Sequence, residues 1–267
     1  VYCAIMPERL AALDPFTTQI PEAIGSGPFK FIKDERIPGS KVVFARNEAY
    51  VPRSGGTPSF NAGPKIVNVD RVEWNFIPDP ATSAAALQQG EIDWWENPSI
   101  DLIPQMKKNK KLWIGVKDRT GEIACLRFNH LNPPFDNPKI RSIVLRAMDQ
   151  KEIMEAVAGA EPSLIQTDVG MFVPGTPMAS KVGVEQTRGP KNYEALKKEL
   201  AAAGYNGERI VVLAATTIPI IWAEAQVSAD VLKRIGFNVD FQALEWGAVV
   251  QRRASKEPID KGGWNIF

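Results

Sequence analysis

Between Ile210 and Phe241 the sequence admits little besides two strands joined by a helix. Ile210-Val211-Val212-Leu213-Ala214 is a short apolar run of strand length. Residues 218–235 follow with helical periodicity and stop at Gly236, and Phe237-Asn238-Val239-Asp240-Phe241 alternates as a second strand. Strand, crossover helix, strand is a βαβ unit, whose hand is almost always right. Its presence predicts the α/β class. Trp246 then opens a further helix.

The remaining elements are read around this unit. Phe29-Lys30-Phe31-Ile32 after the breaker cluster Gly25-Ser26-Gly27-Pro28, Lys41 to Arg46 and the alternating Val67 to Phe76 are predicted strands, with residues 52–64 a Pro- and Gly-rich loop. Asp79 suits an N-cap, Pro80 the first helical position and Gly90 the stop, so a helix spans Ala81 to Gln89. Ile92 with Trp94, Leu112 to Val116, and Ile123 to Phe128 read as short strands, and Ile100 to Met106 as a helix. Asn137 and Pro138 start a helix with Ile140, Val144, Ala147 and Met148 on one face, residues 161–191 are loop-like, and Asn192 caps a helix that Gly204 ends. The result is two α/β segments, 1–122 and 123–267, which would meet at a ligand-binding crevice.

Composition narrows the function classes. Lys+Arg 32 against Asp+Glu 31 leaves a formal charge of +1, which argues against a nucleic-acid partner, and the run Lys107, Lys108, Lys110, Lys111 reads as a solvated loop. The chain has one histidine, His130, and two cysteines, Cys3 and Cys125. That inventory excludes the common zinc sites, and any Ser-His or Cys-His chemistry would have to run through His130, which precedes a proline turn rather than a nucleophile elbow. Asp79, Glu91 and Asp93 are better read as a cap and a turn than as a carboxylate pair for glycoside chemistry. No cofactor, metal or catalytic site is expected. The cysteines are read as unpaired and leave the compartment open. Val1-Tyr2-Cys3-Ala4 lacks the features of a secretory leader, and Gly262 to Phe267 reads as the opening of a strand, so both ends read as cut.

Several blocks, in order, carry a resemblance. Gly25-Ser26-Gly27-Pro28-Phe29-Lys30-Phe31, Ile77-Pro78-Asp79-Pro80 through Ala86-Leu87-Gln88-Gln89-Gly90-Glu91-Ile92-Asp93, Phe128-Asn129 with Pro133-Pro134-Phe135-Asp136-Asn137-Pro138-Lys139-Ile140-Arg141, Leu200 to Tyr205, and Ile235-Gly236 through Glu245-Trp246 resemble landmarks of the family 5 extracellular solute-binding proteins. These serve ABC importers of peptides and nickel. The resemblance implies a two-lobed, type II periplasmic-binding-protein-like fold, incomplete in this chain, with residues 1–122 in lobe I and 123–267 making most of lobe II. The family's Gly-Trp and acidic ligand motif would lie past Phe267.

The function so implied is capture of a peptide in the periplasm by a monomer that closes its lobes and delivers to an inner-membrane ABC permease. A nickel chelate, an oligosaccharide or an opine is an alternative ligand, and a sensor domain built on the same fold an alternative role. Trp246 matches the family's ligand-lining tryptophan and Arg253 a ligand-contacting arginine. Seven residues apart, with Val249 and Val250 between them, they share a helical stripe. Trp222 lies near another pocket-lining position, with core packing the competing reading. Arg127 and Asn129, two apart on a strand, would present a cation and an amide to the cleft, with a turn role the alternative for Asn129.

Overall fold

The computed structural model describes residues 5–14, 18, 20, 22–59, 62–159 and 161–267. They form two compact units, Val1–Ala85 and Ala86–Phe267. Cys125 is an exposed free thiol, and Cys3 lies outside the described residues.

The first unit is a three-stranded antiparallel sheet in the order β1-β2-β3. A short helix α1 (Glu8–Ala11) precedes β1 (Phe29–Phe31), β2 (Lys41–Arg46) and β3 (Arg71–Asn75). Its register sets Phe31 opposite Phe44 and Val42 opposite Trp74. The period of two then puts Phe31, Phe44 and Trp74 on one face, where successive ring centroids lie 5.9 Å apart. Val43 turns to the other face and is fully buried. Helix α2 (Pro80–Gln89) begins as its sequence dictates: the Asp79 carboxylate accepts hydrogen bonds from the Thr82 backbone N–H at 2.6 Å and hydroxyl at 2.7 Å. Gly90 at φ +79° takes the left-handed turn that ends it.

The second unit holds the larger core. A 3₁₀ turn at Ile100–Leu102 leads into α3 (Ile103–Met106), followed by α4 (Pro138–Ala147), α5 (Gln150–Ala158), α6 (Tyr193–Ala202), β4 (Arg209–Ala215), α7 (Pro219–Arg234), β5 (Asn238–Leu244) and α8 (Trp246–Arg252). β4 and β5 pair in parallel from Arg209↔Asn238 to Ala215↔Leu244, as the βαβ reading requires. Alternation along β4 divides the core. Ile210 and Val212 pack with Ile140, Val144, Leu200 and Leu232 from the helices, while Val211, Leu213 and Ala215 pack with Val249 of α8 and Trp264. A strand buried on both faces accounts for the unbroken apolar run from Ile210 to Ala214.

Residues 265–267 extend this sheet beside β4. Ile266 bridges Val212 in parallel and Phe128 in antiparallel. Backbone hydrogen bonds link Leu213 to Ile266, Arg127 to Phe267 in both directions, and Asn129 to Asn265. The strand expected at Ile123 to Phe128 is therefore only its end, because the neighbouring segment offers pairing to residues 127–129 alone. The strands expected at Ile92 with Trp94 and at Leu112 to Val116 do not form. Neither stretch pairs with a strand among the described residues, and both Trp94 and Trp113 are exposed. After α4 the chain breaks at Met148 and restarts as α5, where Asp149 accepts from the backbone N–H groups of Lys151 and Glu152.

Candidate functional site

The site is built where three segments of the second unit converge: residues 126–130, the end of α8 with the turn after it, and 264–267. Between them lies an open groove of about 810 Å³. Leu126, Phe128, Val250 and Ala254 give it apolar walls, Trp264 and Phe267 aromatic ones, Arg127 and Arg253 its cationic groups, and His130 an imidazole.

α8 sets the first part. The Glu245 carboxylate caps it by accepting from the Gly247 N–H at 2.7 Å and from the Ala248 N–H. Trp246 donates its backbone N–H to the Thr217 hydroxyl at 3.2 Å, and its half-buried side chain packs on the core cluster of Val211, Leu213 and Val249. One helical stripe brings Arg253 back over Trp246, with the guanidinium carbon 5.6 Å from the ring centroid. The same guanidinium lies 5.3 Å from the Phe267 centroid. The two valines between them diverge, Val249 into the core and Val250 into the groove.

Pairing of 127–129 with 265–267 sets the second part. Arg127 is exposed and places its guanidinium carbon 5.9 Å from the same Phe267 ring. Asn129 is buried: its amide N–H donates to the Trp264 carbonyl at 2.9 Å, and its Oδ1 accepts from the Leu131 N–H at 3.0 Å. Asn265, fully buried, accepts from the Val211 N–H at 2.8 Å and donates to the Pro133 carbonyl at 2.9 Å, tying β4, the third sheet segment and the turn after Asn129 together. Trp264 stacks edge-on against Phe267 with centroids 5.1 Å apart, and its indole N–H is buried with no hydrogen-bond acceptor among the described residues.

The structure thus brings Arg253 and Arg127 to the Phe267 ring; Trp246 lies under Arg253 and, packed on the core, is not among the groove's lining residues. Asn129 sits behind them with its amide engaged by backbone groups. Trp222 is elsewhere in this unit, half-buried against Phe241 with ring centroids 5.5 Å apart, and is not among the groove's lining residues. Sequence reasoning missed Trp264 and Phe267 as wall residues. Their place depends on pairing with residues some 140 positions away, which no local pattern encodes. Neither Arg127 nor Arg253 has a carboxylate within ion-pair distance among the described residues, and the groove lining contains no acidic side chain. Among those residues no cluster of His, Cys, Asp or Glu is arranged to hold a metal ion, and no helix is long and apolar enough to cross a membrane.

A sequence model described as bacterial extracellular solute-binding proteins, family 5 Middle, matches residues 3–267. The chain belongs to that family. Its members are extracellular solute-binding proteins, a family of binding proteins rather than of enzymes. Over 98% of its length the chain is 39% identical to the probable peptide ABC transporter periplasmic-binding protein y4tO of Sinorhizobium fredii, covering 49% of that protein. It is 29% identical to heme-binding protein A of Haemophilus influenzae over 91% of the chain and 42% of the relative. The chain spans about half the length of these curated relatives. Among solved structures, the periplasmic binding protein DppA of Helicobacter pylori in complex with the peptide STSA superposes with a TM-score of 0.67 at 24% identity, over 86% of this chain and 40% of that one. The fold is accordingly the α/β fold of type II periplasmic binding proteins.

Proposed function

We propose that this chain forms part of the substrate-binding component of an ABC importer that captures peptides in the periplasm and delivers them to an inner-membrane permease. Residues 1–122 supply part of lobe I and residues 123–267 most of lobe II, and the protein works as a monomer without nucleic acid. The observation that carries this reading is the 39% identity to a probable peptide ABC transporter periplasmic-binding protein along 98% of the chain. The groove supports it with chemistry suited to a peptide. Aromatic walls give contact tolerant of side-chain sequence, and cationic donors face a ligand rich in carbonyl and carboxylate oxygens. Arg253 and Arg127 are the ligand-facing residues in this reading, with Trp246 under Arg253. Asn129 holds the backbone that carries Arg127, and Trp222 contributes from α7 beyond the groove.

Native mass spectrometry of the intact protein, purified without denaturation and then treated with acid, tests this. A released set of peptides supports the proposal. A released haem, metal chelate or sugar with no peptide replaces it with another ligand class.

A further inference from the structure

We propose that the lysine-rich turn after α3 is a docking surface for anionic phospholipid headgroups. None of its residues lines the groove, and neither site depends on the other. Five lysines and no acid stand in the contiguous stretch 102–117, between Asp101 and Asp118. Over the whole chain 32 basic residues meet 31 acidic ones, so the remainder is net acidic and the positive charge is local to this stretch. Two of the five lysines are engaged: Lys107 pairs with Glu161, and Lys117 lies 5.0 Å from the centroid of the Trp94 ring. Lys108, Lys110 and Lys111 are exposed, and their ammonium groups have no partner among the described residues. Arg36 and Arg53 also stand without a carboxylate among those residues, but singly; here three free cations fall within four positions.

The backbone fixes where these charges sit. Ile103 and Met106 are buried and anchor the short helix α3. The turn after it is closed by backbone N–H groups. Lys107 donates to the Ile103 carbonyl at 2.9 Å, Asn109 to that of Met106 at 3.0 Å, and Leu112 to that of Asn109 at 3.1 Å. The Asn109 side chain accepts from the Lys111 N–H at 3.0 Å and so holds the tip. Gathering three ammonium groups on so tight a turn brings a repulsion that no carboxylate of the turn offsets. Ammonium groups are compact, hydrated point charges on flexible stems. They suit a surface of many mobile phosphates, whereas a single carboxylate is better matched by a guanidinium fork. Directly after the tip, Trp113 is 83% exposed and Val116 52% exposed. Lysine beside exposed tryptophan is the composition of a membrane–water interface, which favours a lipid surface over an acidic protein.

Sedimentation of the intact protein at low salt with phosphatidylcholine vesicles, with and without an equal part of phosphatidylglycerol, tests this. Binding to the anionic vesicles is expected to exceed binding to the neutral ones by at least about tenfold, and to fall as added salt screens the lysines. Lys108→Gln, Lys110→Gln and Lys111→Gln made together should abolish that preference. A charge-matched variant, Lys139→Gln with Lys181→Gln and Lys256→Gln, should keep it, which separates the turn from net charge. Thermal melts verify that both variants are folded. Equal or absent binding to the two vesicles, a preference that survives substitution of the turn, or an equal loss in the charge-matched variant would overturn the proposal. Binding to soluble poly-L-glutamate with none to either vesicle would transfer the turn to an acidic protein partner and overturn the membrane assignment as well. No peptide is present in these assays, so their failure leaves the peptide reading standing.

Discussion

Replacing Asn265 with alanine should destabilise the second unit by about 2–4 kcal/mol, and the structure shows where that figure originates. The side chain is fully buried and satisfies two backbone groups, the Val211 N–H at 2.8 Å and the Pro133 carbonyl at 2.9 Å. Val211 lies in the centre of β4 with no exposed surface, so its stranded N–H carries a desolvation penalty of about 1–3 kcal/mol. The Pro133 carbonyl is only part-buried, and its lost bond adds about 0.5–1.5 kcal/mol. Asn265→Asp separates the two contributions. It keeps the acceptor for Val211 but turns a carboxylate oxygen toward the Pro133 carbonyl, so it too should destabilise. Native-state hydrogen exchange read at the Val211 and Leu213 amides is the assay. A loss of 3 kcal/mol corresponds to exchange roughly a hundredfold faster. A change below about 0.5 kcal/mol in Asn265→Ala would refute the idea that this side chain locks the third sheet segment to β4.

Two further perturbations address the site and its surroundings. Trp246→Ala should weaken ligand binding by about 1–3 kcal/mol, the range for losing a largely buried aromatic contact. Unchanged affinity in calorimetry, together with a lowered melting temperature, would assign the residue to the core alone. On α7, burial, reinforced by the nearby charge of Glu122, pushes the Glu224 carboxyl up to about 7 from its usual 4.5. The folded state therefore holds this proton more tightly than the unfolded state. The associated stability is present below pH 4.5, falls as pH rises to about 7, and stays lost above that. Glu224→Gln should raise the melting temperature at pH 8 relative to the parent protein and flatten its decline between pH 5 and 7; identical profiles for the two proteins would contradict the shift.

The elements that sequence made legible are those whose signals are local. Asp79 and Asn192 cap their helices as read, Gly90, Gly204 and Gly236 all adopt positive φ at helix ends, and the apolar run at Ile210 becomes the doubly buried strand β4. The failures are non-local. Ile92 with Trp94 and Leu112 to Val116 have strand-like composition, but a strand exists only with a partner, and no strand among the described residues pairs with them. Helix α5 was missed although Asp149, followed three residues later by Glu152, is a readable N-terminal signal. Within the site, the seven-residue spacing of Trp246 and Arg253 was legible because one helix carries both. The convergence of Arg127 on the same ring was not, because it requires Phe267 to pair with a segment distant in sequence.

The central claim is that ligand is held in the groove between residues 126–130, the end of α8 and residues 264–267. Photocrosslinking the intact protein with a diazirine-bearing peptide, followed by mass-spectrometric mapping, tests it most directly. Label on Arg127, Phe128, Val250, Arg253 or Phe267, suppressed by excess unlabelled peptide, is the expected result. Competable label confined to other parts of the protein would contradict the claim.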